Sequence, residues 1–529
     1  MAKKQNFLQG ALVLAIGVAL VKVIGAVFKI PLGNLLTGTG FGYFNIAYSV
    51  YNVLLVISTA GLPVAVSKMV AEATTKGQGG DVSRIIRAAM STFLILGFIG
   101  SSLMFIFAEQ IATHIMNSPG AVYTIRVIAP ASFFVALMSV FRGYYQGLMN
   151  MVPTALSQII EALAKLIFGF FLASWLLSAG YPQEIAAAGA IGGVTIGTVL
   201  GSVFLILRRV FDRRSNPDGP VSDRTQGSIT KNLLAIAIPI TIGSGVLAIT
   251  NLIDSALVMN RLQTAAGFTE ERSVWLYGSY GLAQTLFNFP SAFIVPFSTA
   301  LVPAIAAALA KGDSRGASRT IETGMRVTGL LALPAAAGLS VLSGPILNLL
   351  FPARADEAAA AALPLSILAI SVFFNCVVML SNATLQSLGK VRIPVYTMLC
   401  GSAVKIISNW CLIGRPEINI NGAPVGTGLC YCTIMVLNLI IIAKNIKPAP
   451  NVIRMFLRPM IATLIMAAGT WAANGLLTRF VGGRVAVLGA IVVAVALYFV
   501  LILLLKAVSR EDLAMLPKGE KIADILHIK

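Results

Sequence analysis

The chain has 529 residues, 57% hydrophobic and 11% charged, with 39 Lys and Arg against 20 Asp and Glu for a net charge of +19. A soluble domain of this length needs far more charge to cover its surface, so the composition excludes a soluble globular protein and points to one that lives in the bilayer. The basic excess falls in loops between apolar runs, where it reads as a topology signal and calls for no nucleic-acid partner.

Lys3 and Lys4 precede an apolar stretch from Phe7 to about Leu36. It is too long for a signal-peptide core and no small-residue cleavage site follows it, so it reads as an uncleaved first span. Apolar runs then recur to Lys506, giving spans at 7–33, 41–68, 86–108, 122–146, 154–179, 185–208, 233–259, 274–306, 322–346, 360–388, 394–413, 424–444, 455–477 and 484–507. Each can cross a hydrocarbon core of about 30 Å as a helix. All exceed the roughly 10-residue alternating segments of a membrane barrel. The expected fold is therefore an all-α polytopic membrane protein with about fourteen transmembrane helices.

Lysines and arginines sort by side. With both termini cytoplasmic, the inside loops carry Lys68, Lys76, Arg84, Arg87, Arg208, Arg209, Arg213, Arg214, Arg224, Lys231, Lys311, Arg315, Arg319, Lys390, Arg392, Lys444, Lys447, Arg454 and Arg458. The end of the last span and the C-terminal tail add Lys506, Arg510, Lys518 and Lys521. The outside loops carry few, so the bias predicts an even span count with both ends inside. The basic segment at 208–224 can also attract anionic lipid.

The halves repeat one plan. Ser58-Thr-Ala-Gly-Leu-Pro63 and Lys76-Gly77 recur as Ser298-Thr-Ala-Leu-Val-Pro303 and Lys311-Gly312, and Gln146-Gly-Leu148 recurs as Gln386-Ser-Leu388. Gly189-Ala-Ile-Gly-Gly193 opens span 6 as Gly422-Ala-Pro-Val-Gly426 opens span 12. This predicts two pseudo-symmetric six-helix lobes, related by an axis along the membrane normal, plus two extra C-terminal helices. The expected divisions are an N-terminal lobe (1–208), a basic linker (209–232), a C-terminal lobe (233–446), appended spans (447–508) and a tail (509–529). Such a plan suits alternating access, with prolines such as Pro239 and Pro290 acting as static kinks or as hinges.

Ionisable groups within a span cost about 2.5–3.5 kcal/mol or more at the bilayer centre, so each needs a partner or a wet cavity. They are Lys22 and Lys29 in span 1, Glu161 and Lys165 in span 5, Asp254 in span 7 and Lys405 in span 11. Lys22 and Lys29 share a helix face, as do Lys405 and Asn409. Glu161 and Lys165, at i,i+4, can neutralise each other, and Asp254 can pair with Lys405 across helices. Four lysines face two carboxylates. A cavity lined by them is electropositive, unsuited to exporting cationic drugs and suited to phosphate or pyrophosphate.

The five cysteines fall in predicted spans and read as small apolar residues, and the two histidines, His114 and His527, lie outside them. No metal site or catalytic constellation emerges, and no phosphate-binding loop for ATP. The expectation is a transporter without covalent chemistry or a cofactor, driven by the membrane potential or by Na+ or H+ coupling.

The run Lys22-Val-Ile-Gly-Ala-Val-Phe-Lys-Ile-Pro31, with Thr39-Gly-Phe-Gly-Tyr43 and Ser58-Thr-Ala-Gly-Leu-Pro63, resembles the stage V sporulation protein B-like proteins. These are Gram-positive relatives of the MurJ lipid II flippases within the MATE-like multidrug/oligosaccharidyl-lipid/polysaccharide (MOP) exporter superfamily. The resemblance implies a flippase of the bacterial plasma membrane for an undecaprenyl-pyrophosphate-linked saccharide, either lipid II for peptidoglycan or a capsule or spore-cortex precursor. The rival reading is an ion-coupled exporter of small molecules. The resemblance further implies that Lys22 and Lys29 meet the pyrophosphate in a central cavity, that spans 13 and 14 form a groove for the lipid tail, and that Asp254 matches an acidic sodium ligand; this chain departs from that pattern at Lys405, whose ammonium can take the ion's place. The implied partners are the lipid-linked saccharide and membrane lipids, and the implied working unit is a monomer.

Overall fold

The computed structural model describes residues 7–212 and 219–509, and no strand occurs among them. Lys3, Lys4, Arg213, Arg214, Arg510, Lys518, Lys521 and His527 lie outside the described residues. The helices are α1 (Phe7–Leu35), α2 (Gly38–Thr59), α3 (Gly61–Thr75), α4 (Gly79–Ile106), the single turn α5 (Ala108–Gln110), α6 (Val122–Gly147), α7 (Val152–Ser178), α8 (Gln183–Phe211), α9 (Gln226–Thr264), α10 (Glu270–Ala310), α11 (Ser314–Val341), α12 (Ser343–Leu350), α13 (Ala355–Ser387), α14 (Ile393–Ile413), α15 (Gly422–Asn445), α16 (Val452–Phe480) and α17 (Gly483–Leu504). Among the described residues, 13 helical segments are long and apolar enough to cross a membrane. The 41-residue α10 is the counterpart of the predicted eighth span. The protein is thus an all-α, multi-pass membrane protein. Phe98, Ile106, Phe171, Trp175, Trp471, Val492 and Leu504 are each more than half exposed, as suits side chains solvated by lipid tails.

Two predicted spans are interrupted, for one reason. Span 2 divides into α2 and α3, and span 9 into α11 and α12. A proline ring clashes with the carbonyl four residues earlier and offers no N–H, yet it is tolerated in a helix's first turn. Pro63 and Pro345 each stand third in the new helix, and the preceding helix ends at Thr59 and Val341, the residues whose carbonyls the rings displace. By contrast, α9 runs through Pro239 without a break for 39 residues.

The chain forms two compact units, Met1–Gly281 and Leu282–Lys529. Within unit 1, glycines set the helix spacing. On α8, Gly193 and Gly197 face α7 so closely that an added Cβ would stand 3.0 Å from the Lys165 carbonyl oxygen and 2.6 Å from that of Glu161. On α6, Gly143 and Gly147 press likewise on α3, where a Cβ would stand 2.7 Å from the Pro63 and Ser67 carbonyl oxygens. Small residues at i,i+4 spacing let helix backbones approach where no hydrophobic effect drives them together. The predicted seventh span, α9, packs against α2, α3 and α4. The segment before α9 is strapped to the start of α4: Asp81 Oδ1 accepts from Ser222 N at 3.2 Å, and Arg84 Nη1 donates to Ser222 O at 3.0 Å.

Unit 2 is organised by an apolar cluster that includes Leu301, Ile321, Met325, Val377, Leu380, Ile442 and Met455 from α10, α11, α13, α15 and α16. A polar knot fixes the neighbouring helices. Asn438 on α15 donates to Ser381 Oγ at 2.9 Å and Asn382 Oδ1 at 2.8 Å on α13, and accepts from Thr397 Oγ1 on α14 at 2.8 Å. The last helix, α17, is tied to α11 by Tyr498, whose hydroxyl donates to Leu330 O at 2.9 Å.

Candidate functional site: a cationic cavity in unit 1

A cavity of about 300 Å³ opens between α1, α2, α6, α7 and α8. Lys22 reaches it from α1, Tyr48, Tyr51 and Leu55 from α2, Arg142 from α6, and Gln158, Glu161 and Lys165 from α7. The glycine face of α8 holds α7 in place directly behind Glu161 and Lys165. The short turn between α6 and α7 folds α7 back so that Glu161 meets Arg142.

Arg142 was not among the charges singled out from sequence. It is almost wholly buried. Its Nη2 donates to Glu161 Oε2 at 2.9 Å, and its Nε to Ser157 Oγ at 3.0 Å. Ser157 in turn donates to Thr154 O at 2.8 Å, so the hydroxyl is fixed as an acceptor for the guanidinium. The expected neutralisation of Glu161 by Lys165 therefore gives way to a cross-helix pair. An arginine fork in a low-dielectric site satisfies a carboxylate through directed bonds that a lysine one turn away on the same helix does not match. Lys165 forms no ion pair among the described residues. Its Nζ lies 5.5 Å from the centre of the Phe28 ring, a cation–π contact.

Three cations, Lys22, Arg142 and Lys165, thus share the cavity with one carboxylate, Glu161, for a net charge of plus two. Low-dielectric walls focus that field. Of the residues expected at the site, the structure brings Lys22, Glu161 and Lys165 together. Lys29 is half-buried on the same helix but does not line the cavity. Asp254, buried on α9, belongs to unit 1, whereas the half-buried Lys405 and the buried Asn409 on α14 belong to unit 2. Besides Arg142, the structure adds Tyr48, Tyr51 and Gln158, which carry no charge and so gave no signal in a search for misplaced ionisable groups.

The family described as polysaccharide biosynthesis protein matches residues 7–309, and the MatE family matches residues 277–411. Stage V sporulation protein B of Bacillus subtilis (strain 168) is 26% identical, over 97% of this chain and 98% of its own length. The lipid II flippase MurJ of the same organism is 25% identical over 83% of each chain. A solved structure of lipid II flippase MurJ in an inward closed conformation shares the fold, with a TM-score of 0.69 and 16% identity over 92% of this chain and 97% of that one. The resemblance read from the N-terminal motif extends over most of the chain.

Proposed function

Because the chain belongs to the polysaccharide biosynthesis protein family, we propose that it is a flippase. It carries undecaprenyl-pyrophosphate-linked peptidoglycan precursor, lipid II, from the inner to the outer leaflet by exposing the unit 1 cavity alternately to the two sides of the membrane. The observation that carries this reading is the convergence of Lys22, Arg142 and Lys165 on one cavity with a single carboxylate. A pyrophosphate brings the negative charge that such a cavity lacks, and ammonium groups bind it as point charges. The polyprenyl tail stays in lipid while the polar head passes through the wet cleft, and no bond is made or broken. Both termini are cytoplasmic in this reading, which the bias of loop lysines and arginines supports. One chain is the working unit. The drive is the membrane potential or ion coupling, since one charge moved through 100 mV is worth about 2.3 kcal/mol.

A second reading, favoured by the near end-to-end similarity to a sporulation protein, is translocation of a different lipid-linked saccharide. The experiment is to deplete a cell of its own flippase, supply this protein, and quantify lipid II on the outer leaflet. Restored exposure supports the first reading. Failure of a well-inserted protein to restore it, together with transport of another lipid-linked glycan, moves the assignment to the second.

A further inference from the structure

The cationic groups make up only part of the cavity wall. Tyr51 is 1% exposed, yet its hydroxyl has no hydrogen-bond partner among the described residues. Gln158, about one turn before Glu161 on α7, has a buried Oε1 that likewise has no partner among the described residues. Both residues line the cavity. Unpaired buried polar atoms are uncommon because each forfeits its hydration without replacement. The phenol is also held in place: its ring packs edge-on against Tyr48 at 5.9 Å, and Tyr48 stacks on Phe44 at 6.1 Å.

The chemistry of the two atoms differs from that of the cations beside them. A phenol donates and accepts, while an amide oxygen only accepts. The amide oxygen cannot serve an ionised phosphate, and the phenol can serve a phosphate oxygen or a hydroxyl alike, so the pair is not specific to pyrophosphate. Together they ask for a neutral group rich in O–H or N–H donors, placed next to an anion. In a lipid-linked saccharide that group is the sugar attached to the pyrophosphate, through its hydroxyls or an N-acyl amide.

We propose that Tyr51 and Gln158 form a neutral subsite that reads the first sugar, so that the cavity distinguishes the glycosylated carrier from bare polyprenyl pyrophosphate. This rests on the reading of the cavity as a lipid-pyrophosphate site. The bare carrier offers the same anion and tail but leaves the amide oxygen unpaired, and a site built to hydrogen-bond its ligand rejects the analogue that lacks the partner. For a flippase, such a preference keeps the sugarless carrier from competing with cargo.

The test uses the purified full-length protein in lipid nanodiscs and two probes, undecaprenyl pyrophosphate and undecaprenyl-pyrophosphoryl-N-acetylglucosamine. The wild type is expected to prefer the glycosylated probe by about tenfold or more, the scale of one or two hydrogen bonds. Tyr51→Phe, which removes a single oxygen, and Gln158→Leu are each expected to move the ratio of the two affinities toward one. Lys22→Ala weakens both probes and preserves the ratio. Equal affinities in the wild type, or variants that leave the ratio unchanged, overturn the sugar subsite and leave the flippase reading intact. Failure of the wild type to bind either probe overturns both.

Discussion

Arg142 Nη2 lies 2.9 Å from Glu161 Oε2, joining α6 to α7 with the arginine almost wholly buried. Removing one member of such a pair strands the other, at a cost of about 3–5 kcal/mol, whereas removing both is far milder. Arg142→Met should therefore lower the thermal unfolding temperature of the detergent-solubilised protein much more than Arg142→Met combined with Glu161→Met. Neither variant should flip substrate, because both change the cavity's polar wall. Additive losses of stability across the cycle would show that the two residues are not coupled.

Lys22 tests the cavity in another way. It is exposed on α1 and lines the cavity, so its replacement leaves no buried hole. Lys22→Ala should reach the membrane at wild-type level and unfold at the wild-type temperature while losing translocation of the lipid-linked saccharide. Lys22→Arg keeps the charge and should retain a large part of the activity. Full transport by Lys22→Ala would remove the cationic cavity from the mechanism.

The contrast between these two cations shows what was readable in the chain. Lys22, Glu161 and Lys165 stand deep within apolar runs, where charge is expensive, and that cost alone marks them. Arg142 stands near the end of its predicted span, where an arginine reads as one more cytoplasmic anchor. Its role follows from tertiary pairing: it lies nine residues before Met151, and Glu161 nine residues after Val152, so the turn between α6 and α7 brings them level. Tyr51 and Gln158 were invisible for a different reason, since an uncharged polar residue in a span costs less than an ion and does not stand out by charge. The breaks after Thr59 and Val341 were legible in principle from Pro63 and Pro345, but apolar length alone merges the two segments on either side.

The glycines of α8 predict a steric effect. An added Cβ at Gly197 meets the Glu161 carbonyl oxygen at 2.6 Å, a backbone atom that cannot swing aside. Gly197→Ala should push α7 away, draw Glu161 off Arg142, and destabilise the protein by about 1–3 kcal/mol, the usual scale of overpacking. Gly338, in the last turn of α11, has open space around it. Gly338→Ala should be neutral or slightly stabilising, because alanine loses less backbone freedom in a helix. Equal unfolding temperatures for the two variants would refute the close approach of α7 and α8.

Glu270 gives a pH dependence outside the predicted spans. Burial raises its pKa, the Gly120 N–H that it accepts at 3.4 Å opposes the rise, and the Glu184 carboxylate adds to it; the net shift is upward from the ordinary carboxylate value. The folded state therefore holds this proton more tightly than the unfolded chain. The stability so gained is fully present below the unfolded pKa, about 4.3 for a glutamate, and is lost as the pH rises through the raised folded value. Glu270→Gln stays neutral throughout and keeps an oxygen for the Gly120 N–H. Its unfolding temperature should fall less than that of the wild type as the pH rises from about 4.3, the ordinary glutamate value, toward neutrality. Parallel pH profiles for the two proteins would mean that the Glu270 carboxyl titrates alike in the folded and unfolded states, and that the contact between α10 and the loop before α6 is indifferent to its charge.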